Sequence, residues 1–378
     1  MNPDRRSHSN LDMENPHIQN SFTPVNMFTI SRVLPVVPVL ALNIGRMLVR
    51  YATKAPVNDF FAKSGLAVGG DVNNVKSETN RLEKTLSKFW NEAKARFNEE
   101  TSLYDVCLDG KPLRTPLGYR LSIPKDKKQL AYLIGHEWDT LLDLKIKPNT
   151  LPLTSMASRA TDLAIVHEAE TVDPNLVTKV GDLQDIKIDM LRYLDTDTCL
   201  IFTTLEEYEG KLRQRQEELY RPLIAEYENY FTEYARQNNL LPEPDFKVKL
   251  EFLDCETDGL RGNRQSLTTQ NIVLLWLDQL PIYDLVALEK AILSSKSFLC
   301  AVTILRTNVA DKAKQAELYQ LNKTGEADYY KKTVEELIEM ANLETIFQTQ
   351  EWGEVEDTHD VDNADWLRNL SSCALVCR

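Results

Sequence analysis

Three places in this 378-residue sequence carry side chains whose types and spacing could do chemistry. The first is the dipeptide His136-Glu137, which forms the beginning of the H-E-x-x-H motif of zinc proteases. That motif needs two histidines four residues apart, because this spacing puts two imidazoles on one face of a helix. Position 140 is a threonine, which is no zinc ligand. The sequence therefore favours an ordinary helix histidine at position 136.

The second place is a pair of aspartates, Asp195 and Asp197, each followed by a threonine. Paired carboxylates can hold a cation or transfer protons. No third ligand follows at metal spacing, and Asp and Thr after the end of a helix commonly form local hydrogen bonds in the next turn. We favour this structural role. An acid–base or metal-dependent hydrolase that uses Asp195 and Asp197 is the alternative function.

The third place is an acidic run from Glu351 to Asp365, which has seven Asp or Glu residues and no Lys or Arg. Such a run usually forms a solvated loop. However, Trp352 lies within it beside Gly353, and an aromatic anchor surrounded by acids can engage a basic, partly apolar partner. The sequence leaves both interpretations open, a solvated loop and a docking site.

Other chemistry finds little support in the sequence. The Gly-containing stretch DGLRGNRQS lacks the Lys-Ser/Thr of a phosphate loop, and there is no G-x-S-x-G of a serine hydrolase. Cys300 lies in an apolar run, which favours a buried thiol, and the six cysteines are scattered without a C-x-x-C, as in a reducing compartment. We expect no bound metal and no cofactor; a helical cofactor carrier is a further, weaker alternative.

The net charge of −13 argues against a nucleic-acid binder, which would show a clustered basic face. Residues 27–54 contain four basic residues and no acid, the composition of a mitochondrial presequence. The apolar run at residues 33–44 is shorter than the roughly 20 residues that span a bilayer. We therefore expect residues 1–80 to be a targeting leader without a stable fold, and no stable membrane insertion. A start at Met27 would make a cleaner targeting peptide.

The rest of the chain predicts an α+β fold, with a small antiparallel β-domain at residues 86–124 and a larger helical domain at residues 125–378. Alternating apolar residues on either side of Asp109-Gly110 predict a hairpin, because this dipeptide tolerates positive φ. Helical periodicity then dominates. It predicts one long helix from Leu205 to Asn238, kinked at Pro222, and four or five helices after Leu267. A strand-like insert near residues 246–266 interrupts this pattern.

Five segments in this order resemble a known family: LYDVCLDGKPLRTPLGYRLSIP, EWDTLLDLKIKPNTLPLTSMASRATD, LRYLDTDT, LVALEKAILSSKSFLC and LETIFQTQEWGEVEDTHD. They are similar to the mitochondrial F₁-ATPase assembly factor 2 family, the chaperone of the ATP synthase α subunit. The resemblance extends over about residues 86–370. No single motif is diagnostic, but the ordered set is specific.

The resemblance implies a monomeric, non-enzymatic protein of the mitochondrial matrix. Such a chaperone binds the unassembled F₁ α subunit and covers the surface that would otherwise aggregate before α joins β. The family pattern includes a functionally sensitive glutamate in the C-terminal region, for which Glu344 is the best match, with Glu354 and Glu356 as alternatives. The residues that we expect to contact the α subunit are Glu344, Glu351, Trp352, Glu354, Glu356 and Asp360.

Overall fold

The structure is a computed structural model of the chain and describes residues 88–142, 150–169, 173–259, 261–308 and 331–378. The predicted targeting leader at residues 1–80 lies outside the described residues. Among the helices described, none has the length and apolar character that crossing a membrane requires.

The described part begins with a small antiparallel sheet. Its strands are β1 (Ala93–Asn98), β2 (Leu103–Leu108), β3 (Lys111–Pro112) and β4 (Ser122–Ile123). The central strand β2 pairs with each of the other three. Asp109 and Gly110 both have positive φ, 47° and 80°, and connect β2 to β3. The predicted hairpin is therefore confirmed. Strand β1 was not anticipated from the sequence, because Arg96 and Phe97 are adjacent and both exposed, which breaks the alternation.

Helices make up most of the remainder, with one parallel pair of two-residue strands. The further elements are α1 (Lys128–Asp139), α2 (Pro152–Glu168), α3 (Pro174–Val180), α4 (Leu183–Asp195), β5 (Ile201–Phe202), α5 (Lys211–Gln237), β6 (Leu253–Asp254), α6 (Cys255–Asp258), α7 (Leu267–Asp278), α8 (Ile282–Ser295), α9 (Phe298–Asn308), α10 (Val334–Ala341), α11 (Leu343–Trp352) and α12 (Glu356–Cys377). This mixed α+β architecture is the predicted fold class.

One hydrophobic core joins the sheet to the helices. It contains Val106 and Ile123 of the sheet together with Ile134 of α1 and Leu163 of α2. Burial of such side chains stabilises the fold by about 1.5–3 kcal/mol each. The division into two domains at residue 125 stays a prediction.

Three consecutive residues at the end of α1, Glu137, Trp138 and Asp139, bind this helix to its neighbours. The Glu137 carboxylate accepts hydrogen bonds from the amides of Leu153 and Thr154, at 2.8 and 2.9 Å, and so caps the beginning of α2. The indole of Trp138 donates to the Thr154 hydroxyl at 3.1 Å. The Asp139 carboxylate accepts a hydrogen bond from the amide of Ala93, the first residue of β1, at 3.2 Å. Each of the three side chains thus ties α1 to a neighbouring element.

Several boundaries differ from the expected ones for local reasons. The helical periodicity of the sequence extends to Leu142, but helix α1 ends at Asp139 and Leu142 is 95% exposed. Helix α5 begins at Lys211 and not at Leu205, because a short 3₁₀ turn with positive φ precedes it. It continues through Pro222. Six described helices follow residue 267, more than the four or five predicted, since breaks of only one to three residues separate some of them.

The predicted strand-like insert is extended but does not form a regular ladder over residues 246–252. Side chains of α5 bind its backbone instead. The amide of Val248 donates to the Thr232 hydroxyl, and that of Leu250 donates to the Glu228 carboxylate, both at 2.9 Å. The apolar side chains of Val248 and Leu250 are buried in the core. The alternation of apolar and polar residues therefore predicts correctly which side chains are buried. The backbone hydrogen bonds, however, go to side chains of helix α5 and not to a neighbouring strand.

Candidate functional site

The acidic run after α10 is mostly helical and not a loop, and most of its described side chains are exposed to solvent. Helix α11 ends at Trp352, and Gly353 follows with φ 86°, a conformation that favours glycine. Helix α12 then begins at Glu356. The amide of Val355 donates to Nδ1 of His359 at 2.9 Å, which satisfies one donor at the beginning of this helix. Two helices joined by a tight turn therefore hold the acidic side chains.

Large apolar side chains are exposed along this turn. Trp352 is 73% exposed, and Val355 and Val361 are exposed as well. The neighbouring acids Glu351 and Glu354 are also exposed. An exposed tryptophan amid carboxylates is costly to leave in water and suits a partner that is apolar at its centre and basic at its edge.

A residue that the sequence did not single out, Tyr208, completes the surface. Its ring centroid lies 5.8 Å from that of Phe347 and 6.4 Å from that of Trp352. Tyr208 and Glu209 have φ of 50° and 56°, in the left-handed region that non-glycine residues seldom adopt. Such backbone costs of order 1 kcal/mol per residue and persists where the surroundings enforce it. The only sequence signal was Gly210, which marked a break within the expected long helix.

The electrostatics of this region are dominated by carboxylates. Loss of hydration, and then the carboxylates of Glu344, Glu351 and Glu207, raise the pKa of the Tyr208 hydroxyl. Loss of hydration and the nearby Glu207 raise the pKa of Glu344, against the hydrogen bond that it accepts from Gln348. Repelling carboxylates at a surface attract a cationic partner, because its charge relieves the repulsion.

The structure brings three of the six expected contact residues to one place. Glu344 and Glu351 lie on α11 beside Tyr208, and Trp352 ends that helix. Glu354 lines a cavity of about 400 Å³ between α11 and α12. Asp360 is exposed on the first turns of α12. Glu356 is the first residue of α12, and its side chain lies outside the described atoms.

The alternative site at Asp195 and Asp197 has a structural explanation. Asp197 is fully buried, and its two carboxylate oxygens accept from the amides of Cys199 and Leu299 at 2.8 and 2.9 Å. Asp195 accepts from the amide of Gln265 at 2.8 Å. Burial raises the pKa of Asp197 to about 6. Because backbone amides already bind both oxygens of this fully buried carboxylate, the geometry argues against the hydrolase hypothesis.

The remaining candidates also occupy structural positions. His136 is exposed on α1, and within the described ranges no group of His, Cys, Asp and Glu side chains could hold a metal ion. Cys300 is fully buried, as expected, and its sulfur lies 3.5 Å from that of buried Cys199. Burial raises the pKa of the Cys199 thiol, which makes it a poor nucleophile.

Comparison with known proteins gives a consistent result. The family model described as ATP12 chaperone protein matches residues 87–228. The mitochondrial protein ATP12 of Saccharomyces cerevisiae is 39% identical over 321 residues, which are 84% of this chain and 92% of the yeast protein. Mitochondrial atp12 of Schizosaccharomyces pombe is 29% identical over 77% of this chain and 82% of its own length.

A solved structure shares the fold. The crystal structure of Atp12 from Paracoccus denitrificans superposes with a TM-score of 0.52 over 78% of this chain and 100% of that one, at 19% identity. The identity to the Saccharomyces protein over most of both chains confirms the resemblance that the five sequence segments indicated. The chain belongs to the ATP12 chaperone family.

Proposed function

We propose that this chain is an assembly chaperone for the F₁ sector of the mitochondrial ATP synthase, and that it binds the unassembled α subunit in the mitochondrial matrix. Membership of the ATP12 chaperone family and the mitochondrial designation of both yeast relatives support this function. The protein acts as a monomer, without a cofactor and without catalysis. Its work is to cover apolar surface on the client, because exposed subunit interfaces aggregate.

We further propose that a docking surface contacts the client. This surface consists of Tyr208 and the predicted contact residues Glu344, Glu351, Trp352, Glu354, Glu356 and Asp360. The observation that carries the proposal is the exposed indole of Trp352, held against Tyr208 and surrounded by carboxylates. An aromatic anchor provides affinity when it is desolvated, while the surrounding charges select a basic partner and accelerate association.

The experiment measures binding of isolated F₁ α subunit to the purified full chain and suppression of α aggregation by light scattering. Glu344→Lys and Glu356→Lys should each weaken binding by reversing charge at the docking surface, and Trp352→Ala should weaken it by about 30-fold, or about 2 kcal/mol. Glu100→Lys is the matched control. Glu100 is exposed in the β1–β2 turn, and this substitution changes the net charge by the same amount.

Thermal unfolding of each variant separates loss of binding from loss of fold. Wild-type affinity in all three docking-surface variants would refute this assignment of the surface. Failure of the wild-type chain to bind α or to suppress its aggregation would refute the proposed function itself.

A further inference from the structure

A cavity of about 550 Å³ opens between the β3–β4 turn and the helices α2 and α3, and the docking surface contributes no residue to it. Every residue that lines it lies within residues 87–228, the part of the chain that the family model matches. The volume is within the range of pockets that bind ligands. The apolar part of its lining consists of Leu117, Trp138, Leu151 and Val180.

A buried carboxylate, Asp162, also lines the cavity. Only 4% of its surface is exposed, and its Oδ1 atom has no hydrogen-bond partner within the part of the chain that the structure describes. The Thr115 side chain and the Leu117 amide bind the carboxylate, which explains how Asp162 holds the turn. These two hydrogen bonds do not explain why Oδ1 has no donor among the described residues. Burial, against these two hydrogen bonds, raises the pKa of Asp162. A buried acceptor without a donor is unusual in a folded protein and needs a cause.

Three polar residues of the lining form a row along one helix. Ser155, Ser158 and Asp162 line the cavity at spacings of three and four residues on α2, so they share one face. The seven helical steps from Ser155 to Asp162 rise about 10 Å. This length matches about three residues of extended chain, which rise roughly 3.3 Å each. A cavity lined by both a polar row and apolar side chains suits a peptide, because a peptide offers backbone hydrogen-bonding groups as well as side chains.

The mouth of the cavity is basic. Arg114 and Lys179 are exposed there, and neither pairs with a carboxylate among the described residues. Arg114 donates to the Gly118 carbonyl at 2.7 Å, which fixes its guanidinium in place. The third cation of the lining, Arg159, is already neutralised by a two-bond contact with Glu289. An acidic residue of an incoming segment would therefore be attracted to Arg114 and Lys179.

We propose that this cavity binds an extended segment of about three residues of the client. An apolar side chain of the segment packs against Leu117 and Trp138, a backbone N–H donates to Asp162, and a carboxylate meets Arg114 and Lys179. The identity of the client rests on the proposed function, whereas the chemistry of the segment does not. The chaperone then holds its client at two areas of opposite charge, the acidic docking surface and this basic-mouthed cavity.

The test compares the affinity of the full chain for isolated F₁ α subunit before and after the cavity is filled. Ser155 is exposed at the mouth, so Ser155→Trp narrows the cavity with little effect on the core. We expect it to weaken binding at least tenfold. Thr178→Trp is the matched control, because Thr178 is exposed on α3 next to the mouth but does not line the cavity. It should bind like the wild type.

A second variant does not depend on how the new tryptophan is accommodated. Arg114→Glu combined with Lys179→Glu changes only exposed side chains, and we expect it also to weaken binding at least tenfold, with a smaller effect at high salt. If both this variant and Ser155→Trp bind α as the wild type does, and melt at the same temperature, the cavity inference is overturned while the proposed function stands.

Peptides separate the inference from the proposed function. Overlapping 12-residue peptides that cover the α sequence are titrated against wild type and Ser155→Trp by fluorescence anisotropy. A peptide with neighbouring apolar and acidic residues should bind the wild type and lose affinity in the variant. Absence of any such peptide, or binding of free glutamate and succinate with the same sensitivity, would overturn the proposed peptide occupant whatever the result with intact α.

Discussion

Replacing Lys127 with methionine should destabilise the protein by about 3–5 kcal/mol, because it removes a cation from a buried site. Lys127 is 5% exposed. Its ammonium lies 3.4 Å from the carboxylate of Asp284, which is fully buried on α8, and donates to the carbonyls of Val376 and Cys377 at 2.8 and 3.2 Å. One side chain therefore ties the segment between β4 and α1 to two other helices, including the last turn of α12.

The magnitude follows from what remains after the substitution. Methionine keeps most of the apolar stem of lysine, so little packing is lost. The buried carboxylate of Asp284 loses the Lys127 cation, and removal of one member of a buried ion pair costs about 3–5 kcal/mol. The interaction of a cation with the carboxyl end of α12 is lost as well. Against a total stability of about 5–15 kcal/mol, this is a large fraction.

Urea unfolding followed by circular dichroism at pH 7.4 measures the effect. Lys125→Met is the control, because Lys125 is exposed and should change stability by less than about 0.5 kcal/mol. Adding Asp284→Asn to Lys127→Met should cost less than the sum of the single changes, by about 1–3 kcal/mol, since the second substitution removes the buried charge that Lys127 had offset. Strict additivity, or a loss below about 1 kcal/mol in Lys127→Met, would show that the buried pair does not hold these helices.

Two further substitutions test the electrostatics of helix ends. Burial raises the pKa of Asp197 to about 6. Between about pH 4 and pH 6 the folded protein therefore keeps a proton on Asp197 that the unfolded chain releases. The contribution of Asp197 to the unfolding free energy then falls by roughly 3 kcal/mol as pH rises. The stability difference between wild type and Asp197→Asn should therefore shift in favour of the wild type by this amount from pH 7 to pH 4; a pH-independent difference would contradict the assignment. Glu137→Ala should lower the unfolding free energy by about 1–2 kcal/mol, because the amides of Leu153 and Thr154 lose their cap. Urea unfolding beside the exposed control His136→Ala checks this, and equal stability of the two variants would show that the cap is dispensable.

Features that depend on a few neighbouring residues were predictable from the sequence. The Asp109-Gly110 hairpin is such a case, since the dipeptide itself tolerates the required positive φ. Helix α2 begins at Pro152, where a proline loses nothing because the first helical amide has no intrahelical acceptor. The exposed Trp352 was singled out for its type and its acidic neighbours, and both are properties of the sequence alone.

Features that depend on distant residues were not predictable. Nothing near Lys127 in the sequence indicates that its ammonium binds carbonyls at the other end of the chain. Val248 and Leu250 alternate like a strand, but the acceptors for their amides are side chains of α5. The contact of Tyr208 with α11 required a left-handed turn that local propensity opposes. In each case tertiary packing overrides the local preference, which a single sequence does not display.

The two proposed contact areas differ in charge, and this difference gives the chaperone a basis for specificity. A protein with a net charge of −13 attracts basic surfaces at long range. Attraction of that kind is not selective, because any basic protein shares it. A segment that reaches the cavity must instead be apolar and acidic, since Arg114 and Lys179 repel a basic one. A client that satisfies both areas gains from each contact at the high effective concentration that the other provides, while a protein that satisfies only one dissociates quickly. Neither contact then needs to be tight, which is what a chaperone requires if the assembled partner is to displace it.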